Sequence, residues 1–194
     1  MARWEPDAVG RLQEAAIELY AENGYEQTTV AEIAARAGLT ERTYFRHFAD
    51  KREVLFHGSE TLQEALQSAV EAAPADDSPL DAIAWGLRRI GPFFDERRAH
   101  SLRRHAIIRS SSELQERELM KRGSLAAGLA AVLQRRGVEP AVAALAAESG
   151  ISVFHLAYER WIADEQGRGY AEHVDETLAS LRALTAAAAA APAA

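Results

Sequence analysis

Apolar residues recur along almost the whole chain at steps of three and four, the spacing of one face of an α-helix, and no stretch alternates β-branched and polar residues as strands do. Val9, Leu12, Ala16, Leu19 and Tyr20 form a first stripe, opened by Pro6-Asp7 and closed by Asn23-Gly24. Val30, Ile33, Ala34 and Ala37 form a second. Thr29 precedes it with Glu32 three residues on, a reciprocal pairing that satisfies the free N–H groups of a helix start. Gly38 follows it and can take the left-handed conformation that ends a helix. Leu39 and Thr40 lead into a short third helix, Glu41 to Phe48, and Asp50 with Glu53 predicts the cap of a fourth running to about Ala72. After the break at Ala73-Pro74-Ala75-Asp76-Asp77, helices are predicted at 79–98 (kinked by Gly91-Pro92), 101–110, 112–136, 140–163 and 170–186. The fold class is therefore all-α. The first three helices already make a complete unit, so a head at 1–58, a second helical domain at 59–186 and a disordered alanine-rich tail at 187–194 are expected.

Composition narrows the chemistry. The 194 residues are 48% hydrophobic and 26% charged, which suits a globular chain with a core. There is no cysteine, which excludes disulfide scaffolds, cysteine zinc sites, iron–sulfur clusters and thiol catalysis. Met1 to Asp7 lack the apolar stretch of a signal peptide, and no apolar run is read as approaching the roughly 18 residues that span a bilayer. A soluble, cytoplasmic protein without a membrane partner is expected. The net charge of −7 argues against a protein that coats nucleic acid, but its distribution does not. Between Arg36 and Arg52 the cations Arg36, Arg42, Arg46, Lys51 and Arg52 face only Glu41 and Asp50, a local +3 against −10 for the rest.

That basic stretch lies where two helices are joined by about three residues containing Gly38, the helix-turn-helix layout, in which one helix fixes the angle at which the other enters a major groove. On the third helix Tyr44 and Phe48, four apart, are expected to pack against Leu19, Ile33 and Ala34. Glu41, Arg42, Thr43, Phe45, Arg46 and His47 are left outward or sideways. Arginine forks onto guanine, threonine meets a thymine methyl or a phosphate, and His47 and Lys51 suit phosphates.

The order of residues is more specific than the layout. Gly24 to Ala34 (GYEQTTVAEIA), Ala37-Gly38-Leu39-Thr40, Thr43-Tyr44-Phe45-Arg46-His47-Phe48 and Asp50-Lys51 together resemble the tetracycline-repressor family of bacterial transcription regulators, over residues 8–56. The remainder agrees only in helical layout and in Trp161 near the end of the long penultimate helix. The resemblance implies a homodimer that binds a palindromic double-stranded DNA operator and is released by a small-molecule effector in the C-terminal domain; some family members activate. It places recognition positions on Glu41, Arg42, Thr43, Phe45 and Arg46, and phosphate contacts on Thr29, Thr40, His47 and Lys51. One residue departs from the pattern. The family usually has tyrosine where this chain has Phe45, which has no hydroxyl for a phosphate. A thymine methyl, a sugar, or simple packing remain open to it.

The C-terminal part says less. Arg88, Arg89, Arg97, Arg98, Arg103, Arg104 and Arg109 stand against Asp95 and Glu96, and read as either solvated faces with local ion pairs or an anion site, the former favoured. Trp85, Phe93, Phe94, Met120, Phe154, Tyr158 and Trp161, with Arg89, His105 and His155, are candidates for an effector pocket or for ordinary core. Val174, Leu178, Leu181 and Leu184 form a narrow seam that suits a dimer interface, with Val142, Leu145, Ala146, Val153 and Ala157 before it. His155 and Glu159 are spaced as metal ligands but no third ligand is visible, and no phosphate loop or nucleophile elbow exists. No cofactor, no metal and no catalytic residue are expected. The competing classes are an all-helical enzyme and a dimeric scaffold without a DNA role.

Overall fold

The computed structural model describes residues 7–189, with eleven α-helices and no strand among the described residues. The chain groups into two compact units. One is the chain through Ser59 together with Ala99–Leu119; the other is Glu60–Arg98 together with the chain from Met120 onward.

The first unit opens with α1 (Ala8–Asn23), whose first turn is capped by the Asp7 carboxylate accepting from Gly10 N–H at 2.9 Å. Both bonds of the expected reciprocal cap open α2 (Val30–Arg36): Thr29 N–H donates to Glu32 Oε2 at 2.8 Å, and Glu32 N–H to Thr29 Oγ1 at 3.3 Å. α2 ends as Gly38 predicts. Gly38 has φ +66°, its N–H donates to Ala35 at 3.0 Å, and Leu39 N–H donates to Ala34 at 2.8 Å, the two bonds of a Schellman turn. α3 (Glu41–His47) follows at once. The predicted fourth helix does not run unbroken to Ala72. It is two helices, α4 (Glu53–Phe56) and α5 (Ser59–Glu71), because Gly58 sits at φ +84°, outside any right-handed helix.

The core of this unit gathers Leu12, Ala16, Ile17, Ile33, Tyr44 and Val54, and with them Ile107, Ile108 and Leu114. Those last three come from α8 (Arg98–Arg109) and from the start of α9 (Ser112–Arg135), which a single boundary near residue 58 leaves out.

In the second unit, Ser78 caps α6 (Pro79–Arg89) by accepting from Asp81 N–H at 3.2 Å. The predicted kink at Gly91-Pro92 is a full break: α7 (Gly91–Asp95) is a separate helix. α10 (Pro140–Ala163) and α11 (Tyr170–Ala189) pack on each other and both on α6. Gly150 allows the α10–α6 approach, since a Cβ there would lie 2.6 Å from Ile83 Cγ2. By length and composition α10 could cross a membrane, which corrects the expectation of no such run: 24 residues, with a mean hydropathy of 1.3 in its most apolar window. That window is 44% buried, and the helix packs on α6 and α11, so it reads as a core helix. α11 passes its predicted end near 186, and residues 190–194 of the expected tail lie outside the described residues.

Candidate nucleic-acid interface

α3 is positioned from below by two rings. Tyr44 and Phe48 are 0% and 3% exposed, with ring centroids 5.1 Å apart, as their spacing predicts. The Tyr44 hydroxyl donates to the Asp50 carbonyl at 3.1 Å, and burial pushes its phenol above the ordinary range. Thr40 caps the helix, its Oγ1 accepting from Thr43 N–H at 3.2 Å. With the inward face fixed, Glu41, Arg42, Phe45, Arg46 and His47 are exposed and Thr43 is half-buried. Thr40 and Thr29, at the starts of α3 and α2, are exposed as well.

The cations of this stretch divide into two groups. Arg36 forks onto Glu22 and Glu18 at 2.8 and 3.1 Å; the hydrogen bonds hold the guanidinium above its ordinary range and Glu22 below. Arg52 pairs with Asp50 at 2.7 Å and with Glu113 at 3.3 Å, and the Arg52 hydrogen bond lowers the Asp50 carboxyl against its burial. The Lys51 ammonium, expected on a phosphate, turns inward. It donates to the carbonyls of Tyr25, Glu26 and Thr28 at 3.0, 3.4 and 3.5 Å and lies 4.2 Å from the centre of the Tyr25 ring. By contrast, Arg42 has no hydrogen bond or ion pair among the described residues, and Arg46 meets only the His47 ring, at 3.4 Å. The unpaired positive charge is therefore concentrated on α3.

Several groups that hold this surface in place carry no local signature. Arg11 of α1 reaches the Ala37 carbonyl beside the Gly38 turn. Thr28, 1% exposed, donates its hydroxyl to the Gly24 and Leu19 carbonyls, at 2.9 and 3.2 Å, and closes the α1–α2 loop. Residues of α8 and α9 pair with the helices of the same unit: Arg103 with Glu14 at 2.6 Å, Arg117 with Glu53 at 2.7 Å, and the Tyr25 hydroxyl with Glu113 at 3.1 Å. Arg104 donates to the Leu55 carbonyl at 2.7 Å with its guanidinium over Phe56.

The arginine group of residues 88–109 is thus not one patch. In the second unit Arg88 pairs with Asp175 at 2.6 Å, Arg89 covers Trp85, Arg97 covers Phe93, and Arg98 covers Trp161. The candidate pocket residues separate too. Phe154 and Tyr158 come together around Phe94, whose ring lies 4.8–6.0 Å from those of Phe93, Phe154, Tyr158, Trp161 and Tyr170. His105 belongs to the first unit, and Met120 is 58% exposed. His155 meets Glu159 at 3.7 Å, but no group of three metal-ligating side chains exists among the described residues.

Of the expected dimer seam, Val174 and Leu178 are 0% and 1% exposed, taken up by the chain's own core, as are Val153 and Ala157 of α10. A narrow heptad-like stripe does not state whether its partner lies in the same chain, and here that partner is α10 and α6. Leu181 is half-buried and Leu184 exposed. Among the described residues, the large apolar side chains exposed on these helices are Val142, Leu145, Leu156 and Leu184.

Residues 12–57 match the model for bacterial regulatory proteins of the tetR family. The regulator TcmR of Streptomyces glaucescens is 41% identical over 75 residues, which are 39% of this chain and only 33% of TcmR. MftR of Mycobacterium tuberculosis, assigned as a mycofactocin biosynthesis transcriptional regulator, is 26% identical over 157 residues, 79% of each chain. Among solved structures, the SmeT–triclosan complex superposes with a TM-score of 0.63 at 19% identity, over 89% of this chain and 90% of that one, which shows the shared fold.

Proposed function

We propose that this chain, whose residues 12–57 match the model for bacterial regulatory proteins of the tetR family, is a ligand-responsive, DNA-binding transcriptional regulator, acting as a homodimeric repressor on a palindromic operator. The observation that carries this reading is the division of the basic stretch. Arg36, Lys51 and Arg52 serve the fold, while Arg42 and Arg46 on the exposed face of α3 have no acidic partner among the described residues. Unpaired guanidiniums on a helix that two buried rings hold outward suit base edges in a major groove. Thr29, Thr40, Thr43 and His47 flank them with hydroxyls and a ring nitrogen that suit phosphates. Glu41 fits the helix N-terminus better than a base, since its carboxylate complements the helix dipole.

A second copy would cover Val142, Leu145 and Leu156, which lie along one face of α10 at heptad-like spacing, together with Leu184 of α11. Pairing two heads multiplies affinity through effective concentration and sets them about one DNA turn apart, roughly 34 Å or a multiple. The effector would be apolar and would lodge beside the Phe94 ring cluster of the second unit. It releases DNA only to the extent that it prefers the chain's DNA-incompatible arrangement.

The test is selection of bound fragments from the source genome by the full chain, followed by titration against salt. Affinity should fall steeply, with a log–log slope of about −0.9 per phosphate contacted. Failure to retain any fragment at low salt, without added compounds, sinks the reading; an enzyme or a scaffold predicts that failure.

A further inference from the structure

Resting on the DNA-binding reading above, we infer that Phe45 reads the C5-methyl group of a thymine next to the base read by Arg42. Phe45 is 55% exposed, more than any other described aromatic side chain, so simple packing does not account for it. It is nevertheless held: its ring stands edge-on to Tyr44, 5.6 Å between centroids and 79° between planes. Tyr44 in turn is anchored by Phe48 and by the Asp50 carbonyl.

Its place on the helix selects the contact. Tyr44 and Phe48 point into the core, so Arg42 and Arg46, about half a turn away, point to the groove floor. Phe45, the residue after Tyr44, lies on the flank, where a helix in a major groove meets a wall. A wall offers phosphate oxygens, for which Phe45 has no donor, and apolar carbon, which it matches. On the major-groove edge, thymine carries its methyl at C5, the ring position nearest its own strand's backbone. That methyl is the apolar group within reach of a flanking ring, and Phe45 stands one turn from Arg42, so the two contacts fall on neighbouring bases. A tyrosine in this position would hold a phosphate regardless of sequence; phenylalanine exchanges that contact for a sequence-dependent one.

The test uses the full chain and an operator fragment recovered by selection. Each thymine is replaced in turn by deoxyuridine, which removes the methyl and nothing else. One position per half-site should lose about fourfold in affinity, the fold-change of a single buried methyl. In Phe45→Ala that same replacement should have no further effect, and 5-methylcytosine in a C·G pair at that position should bind wild type better than unmodified cytosine. Phe45→Tyr should flatten the uracil dependence and steepen the salt slope by about one unit per head. A uracil profile flat at every thymine overturns the inference while leaving DNA binding intact, as does a uracil effect that persists unchanged in Phe45→Ala. Failure to recover any fragment overturns the DNA-binding reading itself.

Discussion

Replacing Lys51 by methionine removes the ammonium and keeps most of the stem. In the structure that ammonium makes one good charge-assisted bond, to Tyr25 O at 3.0 Å, two long ones, and a contact over the Tyr25 ring. A bond of that kind contributes about 1.5–3 kcal/mol and an exposed cation–π contact about 0.5–1 kcal/mol. Lys51 is half-buried, so the lower ends apply and the loss should be about 2 kcal/mol. For a chain of this size that is a fall of about 4–8 °C in Tm. The α1–α2 loop leads directly into Thr29 and the α2 cap, so DNA affinity should weaken alike on all sequences. The salt slope should stay as it is, because no phosphate partner has been lost. The assays are thermal unfolding by circular dichroism and operator titration at four or five salt concentrations. A phosphate-bound Lys51 predicts the opposite pair of results: unchanged Tm, and a slope flatter by about 0.9 per head. That pair would refute the reasoning.

Three further outcomes are expected. Arg42→Ala should cost about 1–3 kcal/mol at the operator and relax one base position without lowering Tm, because Arg42 has no partner among the described residues; unchanged affinity removes it as a reader. Phe94→Ala should destabilise the second unit by about 3–5 kcal/mol in denaturant titration, since its ring is surrounded by five others; a loss below about 1 kcal/mol would mean a loose cluster. Asp164 should make stability fall as pH drops from about 4 to 2. Burial pushes its carboxyl up, but Gln166 N–H, Arg168 and His173 outweigh it and hold it at about 2, below its ordinary 3.8. A depressed carboxyl stabilises above its unfolded value and stops doing so as pH falls through the folded one. Urea midpoints against pH should lose that segment in Asp164→Asn; an unaltered acid limb contradicts the assignment.

What could be read from the sequence was local. Thr29 with Glu32, Gly38, Ser78-Pro79 and Asp50 act within three residues of themselves, and each does in the structure what its chemistry predicts. The outward face of α3 was legible because Tyr44 and Phe48 form a four-residue pair that only one orientation can bury. Gly58 carried the same kind of signal as Gly38, and a helix carried through it to Ala72 ignored the cost of a left-handed residue in mid-helix. What escaped was long-range. Glu113 and Arg117 reach Tyr25 and Glu53 across 88 and 64 residues of chain, and no periodicity announces such pairs.

Lys51 shows how far the surroundings of a cation decide what it meets within the fold. It stands one residue before Arg52 and in the same basic stretch as Arg46, and by residue type all three suit a phosphate. Their fates differ because acceptors differ. Lys51 has three loop carbonyls within reach, which satisfy its N–H donors, and Arg52 has Asp50 and Glu113, which neutralise its charge. Arg46 projects from a helix whose outward neighbours are Arg42, Thr43 and Phe45, none of them an anion. A counterion-bound arginine of this kind gains most by meeting a polyanion, since binding releases the small ions and raises their entropy. Among the described cations of this stretch, Arg42 and Arg46 on α3 are the ones that neither a carboxylate nor a backbone carbonyl holds, so a chain with a net charge of −7 still presents a locally positive helix face.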